Sequence, residues 1–274
     1  MSQHCHATLI GGKGFIGRHL HTYLQSAGWT SHVPEKDDVR LTTEHLGHVF
    51  YCAGLTADFR QRPYATVDAH VSLLAKILQH GQFDTLTYLS STRVYAGASD
   101  TDEAAVLSVQ AHAAGDLYNL SKLMGESLCL HGGRNTRVVR LSNVFGMDMP
   151  EQNFLSEVLS DAAKCGQVVF RSAPESQKDY VSIADVVRFL PLIATKGEIG
   201  IYNLARGSNT THASLALQLE QMGVRCEFEN GAPNLSFPPI RTNKLEAQFG
   251  PAEFELTNEL QALFNHYKKH HEPD

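Results

Sequence analysis

The sequence predicts a doubly wound α/β fold, in which helices cover both faces of a parallel sheet, with a smaller C-terminal lobe. Short apolar runs alternate with helical patterns through the first half of the 274 residues. A glycine cluster at residues 11–17 separates the first apolar run from the first helical pattern. Parallel strands need long crossover connections, which these helices supply. Residues 1–146 are predicted to form the main domain, and residues 147–274 mainly a discontinuous lobe.

In the first half, apolar runs locate the strands and helical spacing of apolar residues locates the helices. Val71, Leu74 and Leu78, for example, fall on one face of a helix. Strands are predicted at 7–10, 49–53, 86–89 and 137–141, and helices at 14–27, 71–78 and 116–130.

The second half mixes short strands with helices. Strands are predicted at 168–170, 180–183 and 201–204, and helices at 154–165, 185–194, 212–222 and 258–268. The strand near 200–205 is expected to return to the main sheet. The lobe is therefore assigned to residues 147–180 and 206–250.

Composition and charge restrict the class of function. Apolar residues make up 42% and charged residues 19% of the chain, which is typical of a globular protein. The net charge of −6 disfavours nucleic acid as a partner, because phosphate binding requires a basic face. No apolar run reaches the roughly 18 residues of a membrane helix, so no membrane partner is expected. Five dispersed cysteines predict a cytoplasmic location, and fifteen histidines without ligand-like spacing predict no metal site.

The glycine cluster has the position and spacing of a phosphate-binding turn. It follows a predicted strand, opens a predicted helix, and consists of Gly11, Gly12, Lys13, Gly14, Phe15, Ile16 and Gly17. Glycines at 11, 14 and 17 allow a tight turn, close approach of a pyrophosphate and close helix–strand packing. The helix N-terminus adds free N–H groups and a partial positive charge. A glycine-rich turn without a ligand is the alternative.

Tyr118, Lys122 and Ser91 are of the residue types, and at the positions, that a proton transfer can use. Tyr118 and Lys122 lie four residues apart on a predicted helix, so the phenol and the ammonium share one face. A nearby ammonium lowers the pKa of a phenol, which can then exchange a proton with a carbinol oxygen. Ser91 ends a predicted strand, where its hydroxyl can hydrogen-bond a substrate carbonyl. Taken separately, these features also fit an ordinary helix surface and a serine-rich turn.

Eight segments, in order, resemble one family. They are GGKGFIG at 11–17, DVR at 38–40, YCAG at 51–54, SSTRVY at 90–95, YNLSK at 118–122, RLSNVFG at 140–146, KDYVSIADV at 178–186 and IYNLA at 201–205. The chain resembles the extended short-chain dehydrogenase/reductase superfamily, the group of NAD-dependent epimerases and dehydratases of nucleotide sugars. The resemblance implies a Rossmann-type sheet, NAD or NADP as cofactor and a nucleotide sugar as small-molecule substrate. It also implies a homodimer, with Met124 and Leu128 as candidate contacts.

The same resemblance implies the cofactor contacts. The glycine turn would hold the pyrophosphate, with Phe15 and Ile16 donating backbone N–H groups. Further contacts are implied for Asp38 and Val39 at the adenine, Ala53 at the end of the next strand, and Lys122 at the nicotinamide ribose. Glu35 can grip the adenine ribose of NAD, but Lys36 and Arg40 lie close by in sequence. An acidic group repels a 2′-phosphate and a basic group attracts it, so NAD and NADP both stay open.

The resemblance also implies the catalytic and substrate contacts. Tyr118 would be the acid/base, Lys122 would lower its pKa, and Ser91 would hydrogen-bond the reacting sugar oxygen. Substrate contacts are implied for Thr92, Asn143, Lys178 and Tyr180. Lys178 stands where the family usually has an arginine for the substrate diphosphate, and a lysine offers a point charge instead of a bidentate clamp.

Departures from the family pattern narrow the reaction. Family dehydratases carry an Asp-Glu pair after the catalytic hydroxyl, whereas this chain has Thr92 and Arg93 there, which disfavours dehydration. An epimerase and an NAD(P)H-dependent reductase of a 4-keto sugar or other small carbonyl compound would both use Tyr118, Lys122 and Ser91. A non-catalytic dinucleotide-binding sensor or assembly protein is the third alternative, against which the presence of both Tyr118 and Lys122 counts.

Overall fold

The computed structural model describes residues 5–271. Its strands are β1 (His6–Ile10), β2 (Thr30–His32), β3 (His48–Tyr51), β4 (Thr85–Ser91), β5 (Thr136–Leu141), β6 (Asn143–Phe145), β7 (Gln167–Phe170), β8 (Gln177–Ser182), β9 (Gly200–Leu204), β10 (Asn209–Thr211) and β11 (Arg225–Phe228). Its α-helices are α1 (Phe15–Ser26), α2 (Arg40–Thr43), α3 (Pro63–Val67), α4 (Leu73–His80), α5 (Asp116–His131), α6 (Phe154–Cys165), α7 (Ile183–Lys196), α8 (His212–Gln221), α9 (Asn243–Phe249) and α10 (Leu256–His271).

The main sheet has six strands in the order β2-β1-β3-β4-β5-β9, and every neighbouring pair is parallel. From β1 the chain passes to β2 on one side and then to β3 on the other. Connections that diverge in this way leave a crevice between β1 and β3, at the carboxyl ends of these two strands. The doubly wound α/β class is confirmed, and β9 forms the sheet edge beside β5.

Apolar cores cover both faces of this sheet. Leu20 of α1 and Leu190 of α7 pack on one face, and Ile77 of α4 packs on the other. Successive residues of a strand point to opposite faces, so Leu9 of β1 belongs to the first core and Ile10 to the second. A strand buried on both faces is a continuous apolar run, which is why β1 is predictable from sequence.

Several short elements and one helix boundary differ from the sequence expectation, which lacks β2, β6, β10, β11, α2 and α9. The three residues of β2 and the four of α2 are too few to produce a periodic signal. The helix expected at 71–78 extends from α3, which begins at Pro63, through a π-helical turn at Asp68–Ser72 into α4. Such turns interrupt the regular rotation of side chains around a helix and are frequent at functional sites. This turn carries His70, which is fully buried.

The lobe has a core of its own, built by α6, α8 and α10 against two small sheets, β10-β8-β6 and β11-β7. Leu159 and Phe264 lie at its centre. Phe15, the first residue of α1, packs against both this core and the core of the main sheet. Among the helices of residues 5–271, none is both long and apolar enough to cross a membrane.

A buried polar network joins α5 to the sheet. Glu126 of α5 and Arg140 of β5 form an ion pair with 2.6 Å between Oε2 and Nη2, and their side chains are 3% and 4% exposed. Ser90 of β4 donates a hydrogen bond to Glu126 at 2.5 Å, and Arg140 donates to the Tyr95 hydroxyl at 2.7 Å. Tyr95 donates in turn to Asn203 of β9 at 2.9 Å. Both buried charges are therefore paired and hydrogen-bonded, as burial requires.

Removing one partner of this pair is expected to destabilise the fold strongly. Glu126→Ala leaves the Arg140 guanidinium buried without its carboxylate, which costs about 3–5 kcal/mol of unfolding free energy. Glu227→Ala removes a carboxylate from an exposed pair with Arg225 and costs at most about 1 kcal/mol. Urea denaturation measures both, and equal losses in the two variants would show that the buried pair does not stabilise the fold.

Candidate active site

The glycine turn packs the end of β1 closely against the end of β3. Gly11 has a φ angle of +77°, and a β-carbon there would lie 2.6 Å from the backbone nitrogen of Ala53. A β-carbon at Gly17 would lie 2.5 Å from the Cα atom of Gly12. Only glycine avoids these collisions, and only glycine adopts the positive φ angle without strain. The glycine turn and Ala53 therefore meet at the crevice between β1 and β3.

The N-terminus of α1 is open towards this crevice. The helix begins at Phe15, and its N-cap, Gly14, has no side chain to accept from the first N–H groups. The first N–H groups of a helix have no partner inside the helix and carry a partial positive charge. Phe15 and Ile16 thus offer N–H groups where the sequence predicts a pyrophosphate. Lys13 forms an exposed ion pair with Glu35 at the rim of the turn.

The residues predicted at the adenine lie between β2 and α2. Arg40 donates to both carboxylate oxygens of Asp38, and these hydrogen bonds lower the pKa of Asp38 to about 2. Val39 is 71% exposed beside them, which leaves an apolar surface open to a ligand. Among the described residues, Arg40 and Lys13 both have carboxylate partners, and neither is a free cation for a 2′-phosphate.

Tyr118 and Lys122 lie buried on the face of α5 that packs on the sheet, with exposures of 5% and 4%. The Lys122 ammonium donates to the carbonyl oxygen of Leu89 at 2.8 Å and lies 5.9 Å from the centre of the Tyr118 ring. Burial lowers the pKa of Lys122 to about 8, and the Glu126 carboxylate opposes that shift. The lysine thus lies at the carboxyl edge of the sheet.

Burial raises the pKa of Tyr118, and the Ser91 hydroxyl and the positive charge of Arg93 oppose the shift. The Arg93 guanidinium lies 5.6 Å and the Lys122 ammonium 5.9 Å from the centre of the Tyr118 ring. Two positive groups therefore lie near the phenol, and the lowering of its pKa by Lys122 stays a prediction.

The end of β4 positions the predicted hydroxyl residues. Ser91 Oγ accepts a hydrogen bond from the Arg93 N–H at 3.2 Å and so caps the short 3₁₀ helix at Thr92–Tyr95. This turn holds Ser91 beside Tyr118, buries Thr92 to 7% exposure, and directs Arg93 over the Tyr118 ring.

His70 is a site residue whose contacts the sequence does not reveal. Its ring meets the Tyr118 ring edge-on, with 5.3 Å between the ring centres. Nε2 accepts from the Leu55 N–H at 3.2 Å, which leaves Nδ1 as the donor to Ser121 Oγ at 2.8 Å. Ser121 donates to the Tyr118 carbonyl at 2.9 Å. The signal in the sequence is a histidine in the fourth helix, near where the family has an asparagine.

Two predicted substrate residues lie on paired strands of the lobe. Asn143 of β6 is exposed and donates to the Asp179 carbonyl of β8 at 2.8 Å. Lys178 of β8 is half-buried over the Phe154 ring, with 4.5 Å between its ammonium and the ring centre. Burial lowers the pKa of Lys178, and the positive charge of Arg93 lowers it further. The carboxylate of Glu157 opposes this shift.

Tyr180 lies deeper in the lobe than the other predicted substrate residues. Its ring is 4% exposed within the lobe core, and among the described residues its hydroxyl has no hydrogen-bond partner. Tyr180 also lines a cavity of about 240 Å³ whose other walls are the segment after β9, the strand β10 and the first residues of α8 and α10.

One group of metal-ligating side chains was not expected. Asp148, His266 and His270 have ligand atoms within 4.8 Å of one another at the lobe surface. Their sequence spacing gives no signal, because Asp148 lies far from α10 along the chain.

The parallel sheet, its crevice and the glycine turn are those of a Rossmann-type fold. Residues 7–205 match the family described as the NAD dependent epimerase/dehydratase family. The chain belongs to this family. No curated protein matches it in sequence.

Solved structures share the whole fold. MoeE5 in complex with UDP-glucuronic acid and NAD is 20% identical, with a TM-score of 0.80, 96% of this chain and 99% of that chain being covered. RMD from Pseudomonas aeruginosa with NADPH has the same identity, TM-score and coverage. UDP-glucuronic acid 4-epimerase from Bacillus cereus, with UDP-glucuronic acid and NAD, is 16% identical, with a TM-score of 0.79 and coverage of 96% and 99%. At these identities the likeness shows the fold alone.

The neutral, buried state of His70 is expected to make the fold sensitive to acid. Burial lowers its pKa to about 3, below the usual value of 6.5. The unfolded chain therefore binds more protons between these values, and stability is lost as the pH falls below about 6.5. When the pH is lowered from 7 to 5, the free energy of unfolding of wild type should fall by about 2 kcal/mol more than that of His70→Asn. Urea denaturation at both pH values measures this difference.

The control is His131→Asn, which changes an exposed histidine at the end of α5 and should keep the wild-type pH dependence. Identical acid sensitivity of wild type and His70→Asn would contradict a buried, neutral His70.

Proposed function

We propose that the protein is an NAD-dependent oxidoreductase that epimerises a carbinol centre of a nucleotide sugar, with Tyr118 as acid/base. The observation that supports this most is the meeting of Tyr118, Lys122 and Ser91 at the carboxyl edge of a sheet whose first turn is a phosphate-binding turn. All three residues fall inside the span that matches the family.

Residues 1–146 serve in this proposal as the dinucleotide-binding domain, completed by the strand β9. The N–H groups at the start of α1 bind the pyrophosphate, and Asp38, Val39 and Ala53 contact the rest of the cofactor. Lys122 leaves the Leu89 carbonyl to hydrogen-bond the nicotinamide ribose. NAD is favoured over NADP because Arg40 is engaged by Asp38, and Lys13 by Glu35. Of the basic residues near the adenine, Lys36 is exposed and forms no ion pair within residues 5–271. Close carboxylates also repel a 2′-phosphate.

Residues 147–274 serve mainly as the substrate lobe. Asn143, just before it, and Lys178 face the substrate diphosphate, with Lys178 supplying the positive charge. Thr92 and Tyr180 are further proposed contacts. MoeE5 and the Bacillus cereus epimerase are described with UDP-glucuronic acid, which supports a nucleotide sugar as the substrate.

The arrangement supports a simple exchange of protons at the reacting carbon. A bound nicotinamide cofactor would supply the acceptance of a hydride from that carbon and its return to the opposite face of the sugar, which inverts the carbon. The Tyr118 oxygen takes the proton of the reacting hydroxyl and later gives it back. Ser91 hydrogen-bonds the same oxygen, and Arg93 favours the phenolate by its charge. His70 supports this group by holding the turn of α5 that carries Tyr118 and by packing edge-on against the Tyr118 ring.

Two other functions are weighed against this one. A reductase of a 4-keto sugar would use the same residues but release its cofactor in every turnover, so the NAD content of the purified protein separates the two. A non-catalytic dinucleotide-binding protein has no use for a phenol held beside a hydroxyl and a guanidinium. The free thiols of all five cysteines agree with the proposed cytoplasmic location.

Tyr118→Phe removes the proton-transfer oxygen and keeps the ring. Turnover of UDP-glucose or UDP-glucuronic acid, followed by chromatography of the products, should fall by at least about 100-fold. NAD affinity should stay near that of wild type, because the pyrophosphate is held by α1. Tyr64→Phe changes a tyrosine that is 90% exposed and should keep full activity. Turnover near the wild-type rate in Tyr118→Phe would exclude Tyr118 as the acid/base.

We also propose a homodimer that forms through α3 and α5. These helices pack together and expose Tyr64, Val67 and Met124 at 90%, 38% and 55%. Leu128, the other predicted contact, is half-buried against the core instead. Light scattering should give a dimer mass for wild type and a monomer mass for Met124→Glu, because a charge at an apolar interface is costly. A monomeric wild type at micromolar concentration would contradict the proposal.

A further inference from the structure

Two arginines beside Tyr118 have no carboxylate partner. Arg60 follows β3 and Arg93 follows β4, and within residues 5–271 neither forms an ion pair. Arg62 is bound to Asp58 on the same loop and Arg206 to Glu255 in the lobe. Other arginines without an ion pair donate to backbone carbonyl oxygens instead, as Arg134 does to Leu78 and Arg137 to Gly197.

The two guanidinium groups lie around one aromatic ring. The Cζ atom of Arg60 is 4.6 Å and that of Arg93 is 5.2 Å from the centre of the Phe59 ring. Phe59 itself packs against the Tyr118 ring, with 5.4 Å between the ring centres. The pair of cations is therefore fixed next to the proposed acid/base by stacking on a buried side chain.

Gly115 leaves open space between the two arginines. A β-carbon at this position would lie 3.6 Å from Nη2 of Arg60 and 3.6 Å from Nη2 of Arg93. Both groups therefore point N–H donors at the same small volume. The parallel donors of a guanidinium match the two oxygens of a carboxylate.

The unpaired charge of Arg93 is costly, whereas Arg60 is exposed to solvent. Arg93 is half-buried, and both its burial and the positive charge of Arg60 lower its pKa. Tyr118 and Asp116 oppose that shift, but Asp116 already accepts hydrogen bonds from the Gln110 N–H and from Asn119. An anion between the two guanidinium groups would remove the repulsion between them.

We propose that Arg60 and Arg93 bind a carboxylate on the sugar, so that the substrate is the nucleotide derivative of an acidic sugar. This inference rests on the proposed function, because it assumes that the sugar ring lies beside Tyr118. In a hexose with an oxidised C6, the carboxylate is joined to C5, next to the C4 hydroxyl. A carboxylate between Arg60 and Arg93 therefore presents C4 to Tyr118.

The substrate diphosphate is the other anion that could lie against Arg93. It is joined to the anomeric carbon, across the ring from C4, and Lys178 and Asn143 on strands of the lobe are the contacts proposed for it. Arg60 and Arg93 lie instead on the side of Tyr118, where the carbon reacts. The position of the two arginines favours the carboxylate.

Calorimetry of the NAD-loaded protein tests the inference with UDP-glucuronic acid, UDP-glucose and UDP at one ionic strength. Wild type should bind the acidic sugar at least about tenfold more tightly than the neutral one. Arg93→Gln and Arg60→Gln should reduce this ratio to near one and leave the affinity for UDP unchanged. Arg93→Lys should keep part of the affinity ratio, because lysine keeps the positive charge but lacks the parallel N–H donors of the guanidinium. Arg62→Gln is the matched control from the same loop and should keep all of it.

The outcomes separate this inference from the proposed function. A wild-type ratio of one or less, or a ratio that survives in Arg93→Gln, overturns the carboxylate site and leaves the proposed function intact. An equal loss of affinity for all three ligands in Arg93→Gln assigns this arginine to the diphosphate, which also overturns the inference. Binding of NAD without either sugar overturns the proposed function and the inference together. Melting temperatures and NAD affinity of each variant establish that it is folded.

Discussion

The buried ion pair of Glu126 and Arg140 is the interaction on which the rest of the site depends. Glu126 lies one turn after Lys122 and two turns after Tyr118, on the same face of α5. Its carboxylate fixes that face against β4 and β5 through Ser90 and Arg140. A helix held by apolar contacts alone can slide or rotate slightly, whereas a short, paired charge defines one position. The Tyr118 phenol reaches the end of β4 because this contact sets the height and rotation of α5.

Around α5, the site residues differ in how their charge is stabilised by hydrogen bonds and by nearby charges. His70 stays neutral because both ring nitrogens are used in hydrogen bonds inside the protein. Lys122 is buried but has a carbonyl and a nearby carboxylate to stabilise its ammonium. Within residues 5–271, the Arg93 guanidinium has neither a carbonyl nor a carboxylate partner, and it faces the cleft. The side chains that support the helix are thus electrostatically satisfied, and the positive charge that lacks a partner is left where a ligand enters.

The elements whose pattern lies within a short stretch of the chain can be predicted from the sequence. The glycine turn, β1 and α5 each have their pattern within about twenty residues, and the structure has them at the expected places. The contacts of His70 cannot be predicted in this way, because its partner Ser121 lies 51 residues away and a π-helical turn sets its direction. Arg60 and Arg93 likewise come from different loops and meet only through Phe59. Helical spacing places Tyr118 and Lys122 on one face of α5 but does not give the direction of the ammonium, which hydrogen-bonds the Leu89 carbonyl.

Phe15 has two roles, one through its backbone and one through its ring. Its N–H belongs to the open N-terminus of α1, and its ring packs against both the sheet core and the lobe core. The chain passes from sheet to lobe at Gly146, where a β-carbon would lie 2.3 Å from Ile183 and 3.5 Å from the Phe15 ring. The joint between the two halves is therefore a packed contact and not a flexible linker. Close packing of this kind transmits small displacements, so a shift of α1 is expected to reach the lobe core and to couple the proposed cofactor and sugar ends of the cleft.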